Sequence, residues 1–242
     1  MIRKLITCSI FCALIFGCKK EKIKSNAPAI ETEISGKAKP GTGVVTYLTG
    51  DAADVTTNAI GGLILMGGST DVDAAIQWFL QRAAGGDVVV IRSSGADGYN
   101  QYMYDMVNVN SVETIMIDSR TKAGLATVAE KIRYAEALFI AGGDQWNYVN
   151  YWKNTPTEDA INYLLNTKHV TVGGTSAGLA IMGAAYYSGQ TGSVTSAQPS
   201  PIHITVMLQS GREISLRIHS WLTQLPILII HKGTGRAAIL HF

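Results

Sequence analysis

From residue 43 onward the chain alternates between two patterns. Short apolar, β-branched runs recur at GVVTYL (43–48), GLILM (62–66), DVVVIR (87–92), ETIMID (113–118), ALFIAG (137–142) and HVTVGG (169–174). Such runs predict strands covered by other elements on both faces. Between them, apolar residues return at three- and four-residue spacing in DVDAAIQWFLQRAA (71–84), LATVAEKIRYAE (125–136) and TEDAINYLLNT (157–167), which predicts helices. Ser69-Thr70-Asp71 offers an N-cap to the first helix, and Gly85-Gly86 offers a stop. Strand, helix, strand at this spacing implies right-handed crossovers. The expected fold class is therefore α/β: three layers, with a mostly parallel sheet flanked by helices. No internal repeat is evident.

Ligands of such sheets bind at the carboxyl ends of the strands. Three glycine pairs fall there: Gly67-Gly68, Gly142-Gly143 and Gly173-Gly174. One pair could be turn chemistry, whereas three at one edge suggest a backbone brought close to a ligand. The last pair leads into Gly174-Thr175-Ser176-Ala177-Gly178, which satisfies the G-x-S-x-G pattern of a nucleophile elbow. A β-branched run precedes it and a small-residue helix, 177–185, is expected after it. A sharp turn there would push the Ser176 hydroxyl out of the sheet. It would also aim the N–H of Ala177 at a developing oxyanion. The competing reading makes Ser176 an ordinary N-cap.

GGTSAG, with FIAGGDQ (139–145) and LMGGSTDVDAA (65–75), resembles the cyanophycinase and dipeptidase E family of serine peptidases over about residues 43–198. The resemblance implies a fold like that of class I glutamine amidotransferases, with Ser176 as nucleophile. It further implies that Gly142-Gly143-Asp144-Gln145 supplies the second oxyanion N–H, from Gly143 or Asp144, and that Gln145 reaches the substrate. Substrates would be aspartyl peptides or cyanophycin, an arginine-bearing polyaspartate, with neither cofactor nor metal. A glycine pair at a strand end does expose backbone donors, although GGDQ could equally be a turn with a solvated Asp144-Gln145. A glutamine amidotransferase itself would need cysteine at the elbow. An α/β-hydrolase usually carries a long portion after its serine, and only 66 residues follow Ser176. A surface lipoprotein that binds peptides or a partner, its elbow a relic, is the alternative from another class.

A serine needs a base to attack at neutral pH. The family supplies a histidine in a motif resembling D-x-H-[YF], followed by R-x-R-x-G-R, and neither string is present. The segment 199–242 instead holds four of the five histidines, three of the six prolines and one acidic residue, Glu213. It shows no convincing strand–helix alternation and is expected to be irregular. Back-translating it and reading from the last base of each codon, with permissible codon choices, yields DTHY and RNRQGR in the family's order. The residues after about Gln198 are accordingly expected to be a frameshift product that has lost the family's base. His203, His219, His231 and His241 sit in no matching motif, and His169 is expected to cap its strand.

The N-terminus adds a location. Arg3 and Lys4 precede the apolar run Leu5–Phe16, which ends at Gly17-Cys18 in the manner of a secretory signal. Ile15-Phe16-Gly17-Cys18 resembles a bacterial lipobox. That resemblance implies lipidation of Cys18 and an exported protein anchored to the bilayer of the cell envelope, at the outer membrane or periplasmic face. An ordinary cleaved signal is the alternative. Residues 1–18 would be signal, 19–42 (KKEKIKSNAPAIETEISGKAKPGT) a flexible tether and 43–198 the folded domain. All three cysteines lie in the signal, so the body has no thiol for a disulfide, a zinc site or a nucleophile. A net charge of +2 with no basic, aromatic-interleaved block argues against a nucleic-acid partner.

Overall fold

Each of the six apolar runs forms a strand in the computed structural model, which describes residues 43–183, 186–192, 227–231 and 236–240. The strands are β1 (Val45–Gly50), β2 (Gly62–Met66), β3 (Asp87–Arg92), β4 (Ser111–Met116), β5 (Ala137–Ile140) and β6 (Thr171–Thr175). Two more, β7 (Ile227–His231) and β8 (Arg236–Leu240), come from the segment expected to be irregular. ILII is apolar and β-branched, and so able to extend a sheet edge. The order is β1-β4-β3-β5-β6-β2-β7-β8. Every neighbouring pair from β4 through to β7 is parallel, and antiparallel β1 and β8 close the two edges.

The described helices are α1 (Asp73–Gln81), α2 (Asn100–Tyr104), α3 (Arg120–Ala123), α4 (Ala126–Tyr134), α5 (Gln145–Trp152), α6 (Pro156–Tyr163) and α7 (Ala177–Ala180). A π-helical turn, Leu164–Lys168, extends α6. Helices cover the sheet on both faces. On one, Ile91, Leu138, Ile140 and Val172 pack with Ile132, Trp152 and Ile161 from α4, α5 and α6. On the other, Ile64, Val90 and Phe139 pack with Ile76, Phe79 and Leu80 of α1. Alternate residues of one strand serve opposite faces, which is why the runs carry no polar alternation. Each such side chain, taken fully out of water, contributes about 2 kcal/mol.

Two expected helix signals are displaced. Val72, not the Ser69–Asp71 cluster, holds the N-cap position of α1, without a side-chain cap bond. Asp71 is drawn away to accept a 2.7 Å hydrogen bond from the Tyr99 hydroxyl. The C-cap is Arg82, and Ala84 (φ 52°) and Gly85 (φ 85°) then reverse the chain, so Gly85-Gly86 follows the helix end rather than making it. Residues 1–42, which hold the proposed signal, Cys18 and the tether, lie outside the described residues.

Candidate active site

Thr171 to Thr175 are buried throughout, whereas Ser176, the next residue, is exposed. Its backbone has φ 54° and ψ −119°, and its side chain makes no cap bond to α7. Ser176 thus holds the N-cap position of α7 without using its hydroxyl as the cap. A non-glycine residue in this region stores about 1–3 kcal/mol of strain and persists only where its surroundings hold it. Here they do: the Ser176 N–H donates to the Met66 carbonyl at 3.1 Å, and its carbonyl accepts from Ala180 N at 2.9 Å. One bond ties it to the end of β2 and the other opens α7, and Ser176 stands at the carboxyl edge of the sheet. Ala177 is the first residue of α7, directly beside it.

The small residues around Ser176 answer to close packing. A Cβ on Gly174 would lie 2.6 Å from the Gly178 backbone, and a Cβ on Gly178 would lie 2.1 Å from the Ile140 carbonyl oxygen. The helix therefore rests directly on the ends of β5 and β6, which fixes the elbow against the GGDQ turn. A Cβ placed on Gly142 would sit 3.4 Å from the Ser176 Cβ. On the other side, a Cβ placed on Gly68 would sit 3.1 Å from the Ser176 Oγ. Ser176 thus stands between two glycine pairs, at the ends of β5 and β2.

Of the remaining expected residues, Gly143 and Asp144 are exposed in the turn. The Asp144 carboxylate has a further task, capping α5 by accepting from Trp146 N at 2.8 Å and Asn147 N at 3.2 Å. The Gln145 side-chain amide donates to the Tyr187 carbonyl, which holds the segment 186–192 at the start of α5. His169, at the amino end of β6, adopts a left-handed conformation (φ 58°) as the C-cap of the π-helical turn, away from the Ser176 end. Among the tail histidines only His231 falls in a described element. It follows Ile230, the partner of Met66 in the β2–β7 pairing. His203, His219 and His241 lie outside the described residues. No cluster of three or more His, Cys, Asp or Glu residues arranged for a metal exists among the described residues.

Two residues escaped the sequence reading. Tyr148, fully buried, brings its hydroxyl to 2.9 Å from the Ala141 carbonyl and 3.1 Å from that of Gly142. Its ring stacks on Trp152 at 4.2 Å, and the Trp152 indole N–H donates to the Ile117 carbonyl at 2.9 Å. Burial pushes the Tyr148 phenol up to about 12, partly offset by the nearby Arg92 charge, so it remains a donor at neutral pH. Thr175, 4% exposed, donates from its hydroxyl to the Gly67 carbonyl at 3.0 Å. The Thr175 contact spans 108 residues, and no short motif announces either contact.

The chain matches no curated protein. Among solved structures it is similar to that of a peptidase from an acI-B1 Actinobacterium, at 14% identity and a TM-score of 0.44, over 53% of this chain and 59% of that one. It therefore spans less than two thirds of that protein's length. The family model described as peptidase family S51 matches residues 63–204, from β2 through the elbow and beyond. The chain belongs to peptidase family S51.

Proposed function

We propose that this protein is built as a serine-type peptidase whose nucleophile is Ser176. The observation that carries the proposal is the strained, exposed Ser176 at φ 54° between two glycine pairs. In the reaction the Ser176 Oγ attacks the scissile carbonyl and its proton passes to a base. The C–N bond then breaks with release of the protonated amine, and water hydrolyses the resulting ester. The N–H groups of Ala177 and of Gly143 or Asp144 receive the charge that develops on the carbonyl oxygen. Gln145 contacts substrate once its amide leaves the Tyr187 carbonyl. Substrates are aspartyl peptides or cyanophycin, and the protein acts in the cell envelope, held to the bilayer by a lipid on Cys18. The reading rests on the motif resemblance for substrate and anchor, and on the elbow for the chemistry.

The base belongs to the segment after Gln198, which carries no D-x-H-[YF] motif, so the chain as it stands is impaired. Loss of the base also favours a second reading, a surface lipoprotein that binds peptides without cleaving them. A fluorophosphonate probe separates the two. With the reading frame restored, the chain is expected to acquire one phosphonyl adduct, mapped by mass spectrometry to Ser176 and absent in Ser176→Ala, whereas the chain as it stands labels far more slowly. Absence of adduct in the chain as it stands, and also with the reading frame restored, would favour the binding module.

A further inference from the structure

We propose that Tyr148 and Thr175 are positioning residues that set the two walls of the Ser176 site. The inference rests on Ser176 being the nucleophile. Each hydroxyl holds the carbonyl of the first glycine in one flanking pair: Tyr148 that of Gly142, shared with Ala141, and Thr175 that of Gly67. In a trans peptide the N–H of the following residue points opposite to the carbonyl. With the Gly142 and Gly67 carbonyls drawn onto buried hydroxyls, the N–H groups of Gly143 and Gly68 turn outward, where Ser176 stands. Gly143 can occupy its place only without a side chain, since a Cβ there would lie 2.6 Å from the Tyr148 oxygen.

The two devices are anchored separately. Tyr148 is braced by the Trp152 stack and, through the Trp152 indole, by the end of β4. Thr175 lies on the elbow itself, one residue before the nucleophile, so the β2 turn is tied to the strand that carries Ser176. Met66, just before that turn, accepts from the Ser176 N–H as well. The loop beyond is fastened at its far end, where Asp71 and Asp73 accept from the hydroxyls of Tyr99 at 2.7 Å and Tyr102 at 2.8 Å. Both tyrosines are kept protonated by burial and by those carboxylates. A donor displaced by a fraction of an ångström from a developing oxyanion loses much of its effect. The two hydroxyls therefore act on rate, beyond what they add to stability.

The test compares second-order fluorophosphonate labelling of the full chain, as it stands and with the reading frame after Gln198 restored, with that of Tyr148→Phe, Thr175→Val and Thr175→Ser in both forms. Tyr148→Phe keeps the ring stack and removes only the hydroxyl. It is expected to slow labelling of Ser176 about 10- to 100-fold, with far-ultraviolet circular dichroism unchanged. Thr175→Val should slow it similarly, and Thr175→Ser, which keeps the hydroxyl, should recover the rate. Labelling rates unchanged in Tyr148→Phe and Thr175→Val, with only the melting temperature lowered, would overturn the inference and leave Ser176 as nucleophile. Failure of both parent forms to label would overturn the nucleophile reading, and this inference with it. Should Tyr148→Phe fail to fold, the Thr175→Val and Thr175→Ser pair decides alone.

Discussion

Restoring the reading frame after Gln198 is expected to raise hydrolysis of an aspartyl peptide at Ser176 by about 10^4-fold or more. The described part of the chain already supplies the strained elbow, the exposed hydroxyl and the two glycine pairs. On the proposed reading, what it lacks is the family's histidine to take the serine proton. A serine hydroxyl holds that proton far above neutral pH and attacks slowly without an adjacent base. His169 cannot serve, because β6 separates its amino-end position from Ser176 at the carboxyl end. The measurement is the initial rate of dipeptide cleavage, with Ser176→Ala as the zero in both frames. Equal rates in the two frames, both abolished by Ser176→Ala, would mean that a histidine of the present tail supplies the base. His231, at the carboxyl end of β7 beside β2, would then be the first to replace. Absence of DTHY from the other frame of the gene would refute the frameshift directly.

The parts that could be read from sequence are those whose cause is local. The run GLILM and the run DVVVIR form β2 and β3 over the residues expected, because a strand covered on both faces must be apolar at every position. The elbow was readable for a similar reason. Only glycine fits where α7 touches β5, and the requirement shows in the spacing of Gly174 and Gly178 around Ser176. Helix α5 was not readable. Its sequence QWNYVNYW is rich in aromatic and Asn residues of weak intrinsic helix preference. It is helical because Asp144 caps it and because Tyr148, Val149 and Trp152 are buried on one side. Nor could the sequence say that ILII would join β2, since any exposed strand edge could have received it. The hydrogen bond of Thr175 to Gly67 depends on how β6 and β2 align, and becomes visible only once the sheet order is known. That of Tyr148 to Gly142 depends on α5 folding back onto the turn after β5, and so on a helix the sequence did not announce.

Gly178→Ala sets two effects of opposite sign against each other, and the steric one is expected to win. Within a helix, alanine is favoured over glycine by about 1 kcal/mol. The new methyl, however, would lie 2.1 Å from the Ile140 carbonyl oxygen and 2.8 Å from that of Ala141. These are backbone atoms of β5 and the residue after it, and they cannot rotate aside as a side chain would. Inserting a methyl into a filled site costs about 1–3 kcal/mol, and more where the neighbours are rigid. The net expectation is a loss of about 2 kcal/mol, which lowers the melting temperature by about 4–8 °C in a domain of this size. A domain of ordinary stability survives such a loss. The larger consequence falls on the site. Relief comes by lifting α7 off β5, which carries Ser176 away from Gly142 and Gly143, so fluorophosphonate labelling should drop about 100-fold or more. Gly98→Ala, with nothing within 4 Å of the added methyl, is the control and should leave both quantities unchanged. A Gly178→Ala protein that melts and labels like its parent would show that α7 does not rest on the end of β5, and the proposed geometry of the nucleophile would fall with it.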